Sequence, residues 1–487
     1  MGEKILVLDA GTTSTRAMVF NASGRMESVS QSDLTQHYPR PGWVEHDAAE
    51  IWDKTLKCMR DSAGEDASSI AAIGITNQRE TVVAWDKQTA EPLANAIVWQ
   101  DRRTAQRCAE MKEAGHEPDV QQRTGLLLDP YFSATKMHWL LENDEAVRSA
   151  AESGTLAFGT VESWLAFKMS GGAHISDASN ASRTLLLELD GTSFDEGLCD
   201  LFGVPHSALP KIVDTHGELA TCNSEWLGRE IPICSMVGDQ QSATIGQGCL
   251  SFGETKATYG TGAFVLTNKG TDVPQSDNRL LSTVLYQVGG QRIYALEGAC
   301  FVAGSLIQYL RDTLGLIDSA EQTEELARSI EDSGEVVIVP ALAGLGAPHW
   351  QPDARGVLAG LSFASGKAQI ARAALEAMAH QTHDLAAAFA ADGAPWTALK
   401  IDGGMSANDW MAQDLADILD LEVERPDFVE TTALGAAICA ATGVGLYSSL
   451  EEAAGAMRGA ASRFRPAMDA DVRKARLDRY AKALSAA

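Results

Sequence analysis

Basic side chains are scarce in this sequence. Its 487 residues hold 39 Lys and Arg against 66 Asp and Glu, a formal net charge of −27, so most of the surface repels a nucleic-acid duplex or an anionic membrane. Neither is expected as a partner, and the acidic excess reads as a solubility or salt adaptation. The eight cysteines, at 58, 108, 199, 222, 234, 249, 300 and 439, form no Cys-x-x-Cys pair and lie mostly in apolar stretches such as Ile233-Cys234-Ser235. They read as buried free thiols. No apolar run reaches membrane-spanning length. The opening Met-Gly-Glu-Lys fits neither a secretory leader nor a myristoylation signal, which makes the cytoplasm the expected location. Metalloprotease, EF-hand and zinc-ribbon spacings are also missing, so any metal is expected to arrive with a nucleotide.

What is present is a globular composition, 45% hydrophobic and 22% charged, in a chain long enough for two large domains. Strand-like runs at 5–8, 17–20, 70–75, 81–85 and 96–99 mix with helical stretches, which predicts an α/β fold. Helix formers fill 133–169, and 231–237 reads as a buried strand. Glycines loosen residues 245–254, and a boundary placed there divides the chain into domains 1–247 and 248–487. The second half is expected to carry a helix over 300–314, a strand at 336–339, a long helix over 368–391 and a strand at 399–401 that runs into Asp402-Gly403-Gly404.

Two polar hairpin tips stand out, Asp9-Ala10-Gly11-Thr12-Thr13-Ser14 and Tyr259-Gly260-Thr261-Gly262. Glycines there are expected to take left-handed conformations and bring N–H groups close to an anion, with hydroxyls as further donors. One tip from each half could grip a single polyphosphate, the mark of an internal duplication. The segment Gly360 to Ala368 has five residues between its glycines and alanine at the magnesium-binding position, so it is a turn before a helix and no P-loop. Asp239 follows a buried strand and opens a helix, where it is either an N-cap or a general base for a hydroxyl nucleophile. Arg79-Glu80 could bind adjacent hydroxyls or form a surface pair. Trp99, Tyr131 and Phe264 could pack on a small carbon skeleton or simply fill a core.

Together these stretches resemble the FGGY carbohydrate kinases over residues 5–445. The resemblance rests on Leu8-Asp9-Ala10-Gly11-Thr12-Thr13-Ser14-Thr15-Arg16, on Tyr131-Phe-Ser-Ala-Thr-Lys136-Met-His-Trp139, and on Gly344-Leu-Gly-Ala-Pro-His-Trp350. Asn77-Gln-Arg-Glu80, Trp99-Gln-Asp-Arg-Arg-Thr104 and Gly238-Asp-Gln-Gln241 are similar to the branch acting on glycerol rather than on pentoses or gluconate. It implies two actin-like, ribonuclease H-like domains around an interdomain cleft, and ATP-dependent phosphorylation of glycerol to sn-glycerol 3-phosphate, the first step of glycerol catabolism. By that resemblance Arg79, Glu80, Trp99, Tyr131, Asp239, Gln240 and Phe264 hold glycerol, with Asp239 as the base. Thr12, Thr13, Ser14, Arg16 and Thr261 meet the ATP phosphates, Gly304, Gln308, Gly404 and Asn408 line the nucleotide site, and Asp9 orients Mg2+. It also implies a homodimer or homotetramer. Residues 221–230 lack the glycine-rich stretch with which some members bind fructose 1,6-bisphosphate, so that inhibition is not expected.

Overall fold

The computed structural model describes residues 3–64, 67–351 and 353–487. Six strands, β1 (Lys4–Ala10), β2 (Ser14–Asn21), β3 (Met26–Asp33), β4 (Ile70–Asn77), β5 (His216–Cys222) and β6 (Ile231–Gly238), form one sheet in the order β5-β6-β4-β1-β2-β3. Seven more, β7 (Glu254–Tyr259), β8 (Ala263–Gly270), β9 (Leu281–Val288), β10 (Gln291–Cys300), β11 (Ala398–Asp402), β12 (Val423–Pro426) and β13 (Ala461–Phe464), form a second in the order β9-β10-β8-β7-β11-β12-β13. Each sheet is built on an antiparallel hairpin, β1–β2 or β7–β8. Two parallel strands follow on one side, β4 and β6 or β11 and β12. An antiparallel strand closes that edge, β5 or β13, and another, β3 or β10, flanks the hairpin. The duplication read from two hairpin tips is a duplication of topology.

Six helices bear on the site: α1 (Ala48–Ala63), α2 (Asp239–Gly246), α3 (Gly304–Gln308), α4 (Lys367–Ala391), α5 (Asp409–Leu419) and α6 (Thr431–Gly443). The sequence of β1 is apolar at successive positions, which requires cover on both faces. Leu6 and Leu8 join one core with Ile51, Trp52 and Met59 of α1, whereas Ile5 and Val7 join another with Ala436, Ala437 and Ala440 of α6. By contrast β3 alternates half-buried and exposed residues and forms the sheet edge. Helix α6, though late in the chain, thus lies on the first sheet and crosses α2 closely: a Cβ built on Gly435 would stand 1.8 Å from the Ser242 carbonyl oxygen.

Several sequence expectations need correction. Cys300 ends strand β10, and the helix begins only at Gly304, continuing as a π turn over Tyr309–Thr313. The helical stretch 133–169 contains a strand, Leu156–Gly159, paired with Val83–Asp86. Four fully buried residues are too few for periodicity to separate strand from helix. The hairpin-tip glycines also work differently from expectation. Gly11, Gly260 and Gly262 all lack the positive φ of left-handed backbone. At Gly262 the requirement is space, since a Cβ would meet the Cys300 carbonyl oxygen at 2.6 Å.

Candidate active site

The C-terminal ends of the parallel strands converge, with Ala10 of β1 opposite Asn77 of β4 and Asn77 opposite Gly238 of β6. Beside them opens a cavity of ≈ 60 Å³ lined by Thr12, Arg79, Glu80, Trp99, Tyr131, Asp239, Gln240 and Phe264. All seven residues expected to hold the polyol meet there, and Thr12, expected at a phosphate, joins them. A single water needs about 10–15 Å³ on this measure, so the space suits a molecule of a few heavy atoms. Trp99 and Tyr131 meet edge to face with ring centroids 5.6 Å apart, and the Trp99 Nε1–H donates to Thr12 Oγ1 at 2.9 Å.

Arg79 and Glu80 are no surface pair, being 3% and 1% exposed. Burying two charges is tolerable only with partners, and the partners come from elsewhere in the chain. Arg79 Nη1 donates to Glu297 Oε2 at 2.6 Å, Arg183 Nη2 to Glu297 Oε1 at 3.0 Å, and Arg183 Nε to Glu80 Oε1 at 2.6 Å. Burial alone would raise Glu297, but the guanidiniums of Arg183 and Arg79 overcome it and hold its carboxyl at about 2. Glu80 also sits at φ 61, a conformation rare for a residue with a side chain, at the point where the chain turns its carboxylate toward Arg183.

Asp239 is the first residue of α2; the N-cap position belongs to Gly238. Its side chain is one-third exposed, with Oδ1 3.3 Å from Arg79 Nε and accepting from the Gln240 N–H at 2.6 Å. Burial raises its carboxyl above the ordinary value, opposed by the cations of Arg79 and Lys256. Lys256 is fully buried and donates to Gln240 Oε1 at 2.6 Å and to Thr258 Oγ1 at 2.9 Å.

At the first hairpin tip the Gly11 N–H donates to the Ser14 carbonyl at 3.0 Å, leaving the Thr13 side chain exposed. Asp9 is 6% exposed. Arg16 bridges Asp9 Oδ2 and, at 2.7 Å, Glu430 Oε2, so a phosphate reaching this guanidinium would compete with two carboxylates. At the second tip the Thr261 carbonyl accepts from the N–H groups of Ala303 and Ser305, and the Gly304 N–H donates to the Gly260 carbonyl at 2.8 Å. A Cβ on Gly304 would lie 2.6 Å from the Gly260 oxygen and 3.4 Å from Met405 Cγ. The tip, the start of α3 and the turn at 403–408 therefore pack together. Gln308 is exposed one turn along α3, Gly404 is exposed in the turn, and Asn408 caps α5 by accepting from the Met411 N–H at 2.9 Å.

Sequence reasoning missed Arg183, Lys256 and Glu297. The signal was available for Glu297 alone: an ionisable residue after an apolar run within a strand, as in Ala295-Leu296-Glu297, demands a buried partner, whereas Lys256 lies in the polar strand sequence Glu-Thr-Lys-Ala-Thr-Tyr. Arg183 lies in an irregular segment with no such pattern.

Residues 4–246 match the FGGY family of carbohydrate kinases, N-terminal domain, and residues 255–444 match its C-terminal domain. The chain belongs to the FGGY family of carbohydrate kinases. Among relatives of this FGGY chain, the glycerol kinase of Methylobacterium nodulans is 49% identical, covering 99% of this chain and 98% of its own. That of Rhodospirillum rubrum is 52% identical, covering 91% of each. The crystal structure of Plasmodium falciparum glycerol kinase with ADP superposes with a TM-score of 0.95 at 34% identity, over 100% of this chain and 98% of that one.

Proposed function

We propose that this kinase transfers the γ-phosphoryl group of ATP to a terminal hydroxyl of glycerol, giving sn-glycerol 3-phosphate and ADP. One observation carries the reading: a small cavity joins a buried Arg–Glu pair, a carboxylate and an aromatic wall. Arg79 is a donor and Glu80 an acceptor for neighbouring hydroxyls, while Trp99, Tyr131 and Phe264 cover the carbon edge. Asp239 takes the proton of the attacking hydroxyl as the bond to phosphorus forms. The oxygen attacks in line, the γ-phosphoryl group leaves the β-phosphate, and ADP departs. The full-length similarity to glycerol kinases supports the same substrate.

In the same proposal Thr12, Thr13, Ser14, Arg16 and Thr261 hold the phosphates, and Gly304, Gln308, Gly404 and Asn408 line the nucleotide site. The division falls at 247/248, so that the cleft closes between halves and excludes water. Mg2+ enters with ATP and is held mainly through phosphates and water. Arg16 engages Asp9 through Oδ2, and Asp9 has a second carboxylate oxygen with which to orient that ion. The ion would neutralise charge on the transferring group. Among the described residues no helix is long and apolar enough to cross a membrane, and the buried free thiols support a cytoplasmic location. Exposed Leu361 and Phe363 support a homodimer or homotetramer, to be read by light scattering.

The test is ADP release from ATP with a panel of acceptors: glycerol, other polyols, pentoses, ketoses and gluconate. Glycerol is expected to give the highest kcat/KM. A better acceptor elsewhere in the panel would reassign the substrate, and ADP release indifferent to every acceptor would make the protein an ATPase.

A further inference from the structure

The cavity wall contains Arg79 and Glu80 but neither Arg183 nor Glu297, the two charges behind them. Glu297 sits in β10 opposite Leu266 of β8 and Leu281 of β9, about as poor a place for a carboxylate as a sheet offers. It is 1% exposed, and it is the one member of the four-charge chain Glu80–Arg183–Glu297–Arg79 that comes from the second sheet. The two glutamates and two arginines balance in charge. Asp239 is then a third carboxylate, and it faces the same guanidinium: Arg79 Nη1 is 2.6 Å from Glu297, whereas Arg79 Nε is 3.3 Å from Asp239.

These unequal distances matter because a base bound tightly to a guanidinium is a poor proton acceptor. We propose that Glu297 is a positioning residue that holds Arg79 Nη1 from the opposite sheet, so that the guanidinium does not close onto Asp239. Arg79 then remains a donor for the polyol and Asp239 a free acceptor for its proton. Arg183 completes the arrangement by tying Glu297 to Glu80, so both members of the hydroxyl grip are set by charges that do not touch substrate. The arrangement makes the base sensitive to the second sheet, because any shift of β10 away from the first sheet releases Arg79 toward Asp239. This inference rests on the assignment of Asp239 as the base.

The test is the pH dependence of kcat/KM for glycerol in the wild type, Glu297→Gln, Glu297→Asp and Asp239→Asn. The groups facing Asp239 are Arg79 from the segment after β4, Lys256 from β7 and Asp9 from β1, and all three stay unchanged in the Glu297 variants. With Glu297 neutral, Arg79 is expected to pair with Asp239. The acid limb then moves down by about one pH unit, and the plateau kcat falls about tenfold, below the full contribution of a general base. Glu297→Asp, which keeps the charge but retracts it by one methylene, is expected to fall between wild type and Glu297→Gln. If Glu297→Gln does not fold, the Glu297→Asp limb decides alone. A limb at the wild-type position in the folded Glu297 variants, with only the melting temperature lowered, would make the ion chain structural and overturn the proposal. A limb that persists in Asp239→Asn would instead overturn the base assignment, and a wild type inactive on glycerol would overturn the proposed reaction.

Discussion

At the scale of single residues, the candidate site sets opposed charges at unequal distances, with Arg79 2.6 Å from Glu297 and 3.3 Å from Asp239. Asp239 is raised by burial and lowered by Arg79 and Lys256, so as pH falls it takes up a proton earlier than an ordinary aspartate. A base must be deprotonated, and the wild-type kcat/KM is therefore expected to fall on the acid side at a pH above the usual carboxylate value. Asp239→Asn keeps the shape, removes the acceptor, and is expected to reduce kcat by about 10²- to 10⁴-fold with a smaller change in glycerol KM; near-normal turnover in steady-state assays would exclude Asp239 as the base. Among the residues proposed to touch substrate, Arg79, Glu80, Asp239 and Gln240 were legible just past the ends of buried strands, whereas Tyr131, before a helix, and Phe264, inside β8, rested on the family resemblance. The charges that hold them were less legible. Nothing in the neighbourhood of Arg183 distinguishes it from a surface arginine, and only the fold brings it across more than a hundred residues to Glu297.

At the scale of elements, the strands and the long helix followed from sequence where the pattern was long. The expected helix at 368–391 is Lys367–Ala391, and the expected strand at 231–237 is Ile231–Gly238. Short or turn-dependent pieces did not follow. The β9–β10 hairpin, of 8 and 10 residues, is polar and apolar in no clean alternation and carries no sequence expectation, and the helix expected over 300–314 overlaps β10 only at Cys300. The second hairpin tip carries a mutational test. Gly304 has no room for a methyl group beneath the Gly260 carbonyl, so Gly304→Ala should push the tip outward and misplace Thr261. We expect kcat/KM for ATP to drop about 10- to 100-fold while glycerol KM changes little; equal losses for both substrates in initial-rate measurements would show that the tip serves the whole cleft rather than the nucleotide.

At the scale of the whole molecule, the two sheets are joined by helices as well as by the chain. Helix α6 belongs to the second half by sequence, covers the first sheet, and crosses α2 at Gly435 and Gly246. Gly435→Ala would force the helices apart, with an expected loss of about 1–3 kcal/mol or more and a drop in Tm of about 1 °C for each kcal/mol at this chain length. Gly455→Ala, on a helix with open space around the added methyl, is the control and is expected to be neutral or slightly stabilising. Comparable melting curves for the two would show that the crossing yields more than the packing implies.

The eight sulfur atoms offer a last consequence. All are enclosed, and burial pushes the thiols of Cys222, Cys234, Cys249 and Cys300 up to about 12, so at neutral pH almost none of them is in the reactive anionic form. Iodoacetamide should leave the intact mass of the native chain unaltered over hours, and alkylation should advance only as fast as the interior opens. Cys58 and Cys222 lie in the core beneath the first sheet and Cys300 in that of the second. The order in which peptides acquire the label is thus a stopwatch for which lobe loosens first, and rapid uptake by the resting protein would show that the interior breathes far more than its packing suggests.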